Sequence, residues 1–124
     1  MGCGLSGTKI VIELPFAPSV NRLWRVGKNK RFYKTKAYEE WLGTCSWLIA
    51  INKLTPILGN YRLTIEATRP DKRKRDIDNF IKAVSDLLQT NGIIEDDCLC
   101  EEVIAKWVKS GPPMLITVEK IDVV

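Results

Sequence analysis

Lys72 to Lys82 reads Lys-Arg-Lys-Arg-Asp-Ile-Asp-Asn-Phe-Ile-Lys, four consecutive cations set directly against two carboxylates spaced one residue apart. Cations attract a polyanion and carboxylates repel one, so a merely solvated surface has no reason to abut them. A metal-dependent enzyme acting on nucleic acid needs both: bases hold phosphates, and acids hold the cation that activates attack on one. Mg²⁺ takes oxygen ligands and keeps several waters, so two or three aspartates plus a phosphate oxygen suffice. Asp76 and Asp78 converge where a helix begins, and an acidic loop after Gly92 offers Asp96 and Asp97 from the helix's other end. The chain has no histidine. The attacking water must then be activated by the metal or by a carboxylate, and Lys82 is placed to offset charge that develops on the phosphate.

Each piece also has an ordinary reading. Asp76 suits a helix N-cap and Asp78 a first-turn acid. Lys72 to Arg75 alone is a solvated loop, and Lys82 stands four residues after Asp78, the spacing of a surface ion pair. Trp41, Trp47 and Trp107 read as core, whereas Trp24, among bases, is a candidate for base stacking. The conjunction of these features carries the nuclease reading.

Charge is segregated along the chain. Arg22, Arg25, Lys28, Lys30, Arg31, Lys34 and Lys36 follow one another without an acid, and Arg69, Lys72, Arg73, Lys74 and Arg75 form a second basic cluster. Glu95, Asp96, Asp97, Glu101 and Glu102 form an acidic patch without a base. The net charge of +4 is mild, but its distribution suits a polyanion partner together with a cation site.

The elements that must position these groups follow from periodicity. At 124 residues the chain is one domain long, with enough surface left exposed that a partner subunit would help. Lys9 to Leu14 reads as a strand ended by Pro15, and Asn21 to Lys34 as an irregular arm. Thr35 caps a helix that runs to about Ile51. Tyr61 to Thr68 alternates as a second strand. A second helix begins near Asp76, with Ile77, Phe80, Ile81, Val84 and Leu88 on one side, and Asn91-Gly92 ends it. Val103 to Lys109 and Met114 to Ile121 read as two further strands joined in a terminal hairpin through Gly111-Pro112-Pro113. The order β-α-β-α-β-β gives an α+β fold: residues 9–124 form a single domain, a small mixed β-sheet packed against two helices, and residues 1–8 a flexible N-terminus.

No apolar run approaches the roughly 18 residues of a membrane span. Without a signal peptide, Cys3, Cys45, Cys98 and Cys100 read as reduced thiols of a cytoplasmic protein, since their irregular spacing fits neither a disulfide framework nor a four-thiolate zinc site. Met1-Gly2-Cys3-Gly4-Leu5-Ser6 fits a loose myristoylation pattern that nothing else in the chain calls for.

The run Arg69 to Ala83, the later Asn91-Gly92 and the pair Asp96-Asp97 resemble the core signature of the RusA family of Holliday junction resolvases. Leu14-Pro15-Phe16-Ala17-Pro18-Ser19-Val20-Asn21-Arg22 is similar to that family's Pro-rich segment after the first strand. The resemblance implies a homodimeric, Mg²⁺-dependent endonuclease of bacterial or phage origin, with Mn²⁺ as a substitute ion, that nicks opposed strands of a four-way DNA junction in recombination and repair. By that resemblance the metal-binding and catalytic carboxylates are Asp76, Asp78 and Asp97, and the essential lysine is Lys82. The bases Arg22, Arg25, Lys28, Lys30, Arg31, Arg69, Lys72, Arg73, Lys74 and Arg75 would hold the DNA arms. Glu95 and the segment from Val26 to Tyr33 depart from the family's pattern. The alternatives are a non-catalytic module that binds branched DNA, and a nuclease for another branched or flap substrate.

Overall fold

Tyr61–Thr68 alternates along its whole length, every odd residue buried and every even one half-buried, the pattern of a strand paired along both edges with one face under helices. The structure, a computed structural model, describes residues 8–18, 24–26, 32–34, 36–72 and 77–121; residues 24–26, 32–34, 78 and 79 are described by backbone alone. In chain order the elements are β1 (Lys9–Leu14), β2 (Trp24–Val26), β3 (Phe32–Lys34), α1 (Lys36–Asn52), β4 (Tyr61–Thr68), α2 (Ile81–Thr90), β5 (Cys100–Val108) and β6 (Met114–Lys120). Two 3₁₀ turns, Ile77–Phe80 and Asp97–Leu99, precede α2 and β5.

The main sheet has four strands in the order β1-β6-β4-β5, with β4 parallel to β5 and the other pairs antiparallel. Ile10, Ile12, Leu14, Leu63, Ile65, Met114, Ile116 and Val118 form its buried face. Against them α1 sets Tyr38, Trp41, Cys45 and Ile49, and α2 sets Ala83, Val84, Leu87 and Leu88. This is the expected α+β domain, a mixed sheet on two helices. Trp41 donates from Nε1 to the Pro15 carbonyl at 2.9 Å, which ties the Pro-rich segment to α1. Gly92 ends α2 with φ 72° and donates to the Gln89 carbonyl at 3.0 Å. That left-handed conformation is one a β-carbon disfavours.

The structure corrects several expectations. The last two strands do not form a hairpin, because β4 lies between them. Residues 109–113 cross over the end of β4, where the Thr68 amide donates to the Pro113 carbonyl and its hydroxyl to the Pro112 carbonyl, both at 3.0 Å. The basic arm is not wholly irregular: Trp-Arg-Val and Phe-Tyr-Lys pair antiparallel as β2 and β3, short aromatic and β-branched runs masked by the charges around them. Trp47 is not core. It is 62% exposed, on the side of α1 away from Trp41, Cys45 and Ile49. The winding that leads into α2 begins at Ile77 as a 3₁₀ turn, the α-helix itself starts only at Ile81, and Ile77 is exposed.

Cys45, Cys98 and Cys100 are free thiols, as expected, and burial pushes the Cys45 thiol up to about 12. Among the described residues no helix is long and apolar enough to cross a membrane. Thr35, the expected helix cap, and Cys3 lie outside the described residues, as does the expected flexible N-terminus except Thr8.

Candidate functional site

An aromatic knot fixes the turn that carries Asp78. Phe80, buried, meets Phe16 edge-to-face at 5.7 Å and Trp107 edge-to-face at 5.7 Å, while Phe16 and Trp107 stack at 5.9 Å. These rings come from the Pro-rich segment, the 3₁₀ turn and β5, so three stretches distant in sequence are clamped where β4 ends. Arg69, just past β4, lays its guanidinium over the Trp107 ring at 4.4 Å. That contact holds one of the expected DNA-contacting bases in place. Trp107, read from sequence as plain core, is half-buried and serves as this platform.

On α2 the polar edge is Lys82, Asp86 and Gln89, spaced to share one face. Lys82 Nζ contacts Asp86 Oδ1 at 3.0 Å. The sequence placed Lys82 four residues after Asp78 and equally four before Asp86; its partner among the described side chains is Asp86, which the sequence reading passed over. The hydrogen bond and charge of Asp86 raise the Lys82 pKa above its ordinary value, and the carboxylate of Asp97 adds to that effect. Asp97, fifteen residues further on, is therefore folded back within electrostatic reach of the ammonium.

The loop that carries Asp97 is held by polar ties. Ile57 pairs with Ile94 in a parallel bridge, and its amide donates to the Ile93 carbonyl at 2.8 Å. Glu95 Oε1 accepts from the Gly59 amide at 2.7 Å. Asp96 caps the 3₁₀ turn, its Oδ1 accepting from the Cys98 amide at 2.8 Å, and that hydrogen bond leads the causes that hold its pKa below the ordinary carboxylate value. The Asp97 amide donates to Gln89 Oε1 at 3.2 Å, fixing the loop to α2.

The acidic patch thus divides its labour. Glu95 and Asp96 accept from backbone amides around Asp97, whereas Glu101 accepts from Asn60 Nδ2 at 2.7 Å and Glu102 pairs with the Arg62 side chain at 2.6 Å, so those two acids tie β5 to β4 and its approach. Beside the loop, the buried Tyr61 hydroxyl has no nitrogen or oxygen hydrogen-bond partner among the described residues, and the Cys100 thiol is its neighbour. Burial first, then the neighbouring Cys100, Asp97 and Asp96, push its pKa up.

Of the expected site residues, Asp97 lies on a loop tied through its amide to Gln89 of α2, the helix that also carries Lys82. Asp78 lies on the 3₁₀ turn by its backbone, and its side chain and the whole of Asp76 lie outside the described residues. Among the described residues no three acidic or thiol ligands converge. Asp97 supplies hard oxygen donors, exposed to solvent, and suits a divalent cation of the Mg²⁺ kind. Arg69 and Lys72 are exposed where β4 leads out of the sheet; Arg25 is described by backbone alone in β2, and Arg22, Lys28, Lys30, Arg31, Arg73, Lys74 and Arg75 lie outside the described residues. Asp86 and Gln89 were missed because an i, i+4 carboxylate and a helix-end glutamine are ordinary surface features until the loop is seen against them.

The family model described as "Endodeoxyribonuclease RusA" matches residues 15–119. The chain is 31% identical over 116 residues to the crossover junction endodeoxyribonuclease RusA of Escherichia coli strain K12, covering 89% of this chain and 93% of that protein. It is 30% identical over 102 residues to the Aquifex aeolicus (strain VF5) protein of the same name, covering 80% and 79%. With the crossover junction endodeoxyribonuclease rusA of Enterobacteria phage HK97 it shares 32% identity over 85 residues, covering 68% and 70%.

Proposed function

The chain belongs to the RusA family of endodeoxyribonucleases, and from that membership we propose how its residues perform the reaction of a crossover junction endodeoxyribonuclease. It is a DNA-hydrolysing enzyme whose substrate is a Holliday junction. Asp76, Asp78 and Asp97 are the proposed holders of Mg²⁺, with Mn²⁺ as substitute. The bound ion would polarise the scissile phosphate and lower the pKa of the attacking water.

The observation that supports the site assignment is the hydrogen bond from the Asp97 amide to Gln89 Oε1 at 3.2 Å, which ties the Asp97 loop to the helix carrying Lys82. Lys82 is cationic at neutral pH and the Asp86 carboxylate orients its ammonium at 3.0 Å, where it can meet a phosphate oxygen as negative charge builds there. Arg69, braced on Trp107, and Lys72 lead the basic surface that holds the duplex arms through phosphates, which makes binding strongly salt-dependent and nearly blind to sequence. A homodimer suits a junction that is itself two-fold: each subunit presents one site to one of two equivalent strands.

The test is nicking of a synthetic four-way junction beside a flap and a linear duplex. Symmetric nicks that require Mg²⁺, favour the junction, and disappear in Asp76→Asn and Asp97→Asn with junction binding retained support the reading. Tight binding with no product under any divalent ion would leave a binding module in its place.

A further inference from the structure

The outer edge of the sheet has the chemistry of a self-complementary strand. β5 ends the strand order, so among the described residues its outer row of N–H and C=O groups pairs with no strand. It is nine residues long, and its large apolar side chains Val103 and Ile104 are 44% and 37% exposed. A long apolar edge is an invitation to pair, and edges that avoid pairing carry charges that repel a second copy. Here the charges do the opposite.

Read in both directions, Glu102-Val103-Ile104-Ala105-Lys106 sets acid against base about Ile104. If two copies of β5 run antiparallel about a two-fold axis normal to the sheet, directly opposed side chains must share a face, so the axis passes beside a residue. Centred on Ile104, the register opposes Ile104 to itself, Val103 to Ala105, and Glu102 to Lys106, with no like charges facing. Centring on Val103 would set Glu102 against Ile104, and centring on Ala105 would set Ile104 against Lys106.

The intrachain ion pairs extend the pattern. On the open face Glu119 meets Arg62 at 3.2 Å, Arg62 meets Glu102 at 2.6 Å, and Lys106 meets Glu66 at 3.8 Å. Joined across the axis, Glu119, Arg62 and Glu102 of one copy continue into Lys106 and Glu66 of the other as a row of alternating sign.

We propose that β5 pairs with β5 of a second copy, antiparallel and centred on Ile104, to make a continuous eight-stranded sheet. An axis normal to the sheet keeps both helical layers on one side. Lys82 and Asp97 of both copies then face the same way, as a two-fold DNA substrate requires. The inference rests on the homodimer of the proposed function and names its interface. A second exposed apolar pair among the described residues, Trp47 and Ile51 on α1, carries no charge pattern that selects a partner.

The experiment is sedimentation equilibrium on the full chain, on Glu102→Lys, on Lys106→Glu, and on an equimolar mixture of the two variants. Each single variant faces like charges twice across the axis, and its dimer should weaken roughly 10- to 30-fold. In the mixture the lysine introduced at 102 meets the glutamate introduced at 106, and a heterodimer near wild-type affinity should return. The intrachain pairs with Arg62 and Glu66 stay broken in the mixture, so general damage to the fold would give no rescue. Should either variant fold poorly, Ile104→Cys, with Cys3, Cys98 and Cys100 changed to Ser, gives a second reading. Oxidised glutathione should cross-link it between chains, because opposed Cα atoms of such a pair lie about 4.5 to 5.5 Å apart. A monomeric wild type, or a dimer indifferent to both charge reversals, overturns the pairing. Junction nicking measured in parallel keeps the two readings apart: loss of nicking in a dimer that obeys the swaps counts against the function alone.

Discussion

Two regions bring the site together and are built on opposite principles. The 3₁₀ turn Ile77–Phe80 is held by burial: Phe80 lies between Phe16 and Trp107, and the turn cannot shift without opening the core. The loop with Asp97 leaves the core at the buried Ile93 and Ile94, and beyond them it is held by polar ties at the surface, Glu95 to Gly59, Asp96 to Cys98 and Gln89 to Asp97. An apolar anchor makes the position of a functional group inseparable from global stability, whereas exposed hydrogen bonds, each contributing only about 1 kcal/mol, let position vary while the fold persists. One side of the site should therefore fail with the protein and the other without it.

The largest expected effect is on the buried side. Phe80→Ala should destabilise the chain by about 3–5 kcal/mol, read as a shift in the denaturant midpoint at unchanged slope. A loss below about 1 kcal/mol would mean that the aromatic knot is dispensable. On the polar side Lys82→Ala should lower the nicking rate by roughly 10²- to 10³-fold while thermal unfolding stays near wild type. Matching losses in both measurements would erase the contrast. Glu95→Ala should cost no more than about 1 kcal/mol and lower nicking several-fold. Hydrogen exchange of the Gly59 amide would report the released tie directly.

The smallest effect is a pH dependence confined to the loop. Because the folded-state pKa of Asp96 lies below its ordinary value, its contribution is fully present above that ordinary value and fades as pH falls through the lowered one. Asp96→Asn keeps an acceptor for the Cys98 amide and should remove that dependence, which the Cys98 amide chemical shift would follow between neutral and acid pH.

How much was legible beforehand varies with the range of the interactions involved. β4 was read to its bounds because a strand paired on both edges over a buried layer must alternate along its whole length. The stripe on α2 was read through Phe80, Ile81, Val84 and Leu88, with Ile77 wrongly included because periodicity does not reveal where the neighbouring layer stops. Trp47 was misread for the same reason: residue type favours burial, but its place on α1 faces away from the sheet. β5 begins at Cys100, three residues before the start expected at Val103, because Glu101 and Glu102 look like loop until Asn60 and Arg62 stand beside them.

The sequence by itself determined the local units: the strand and helix periods, the glycine stop at Gly92, the cations that run into Asp76 and Asp78, and the lysine one helical turn later. Each depends on neighbours a few residues apart, whose relative positions backbone geometry already dictates. Tertiary structure alone decided that β4 separates β5 from β6, that Lys82 turns to Asp86, that the Asp97 loop is tied back to α2 through Gln89, and that an edge with mirrored charges is left open. Those outcomes depend on which distant surfaces bury one another, a competition among long-range contacts that local pattern does not encode.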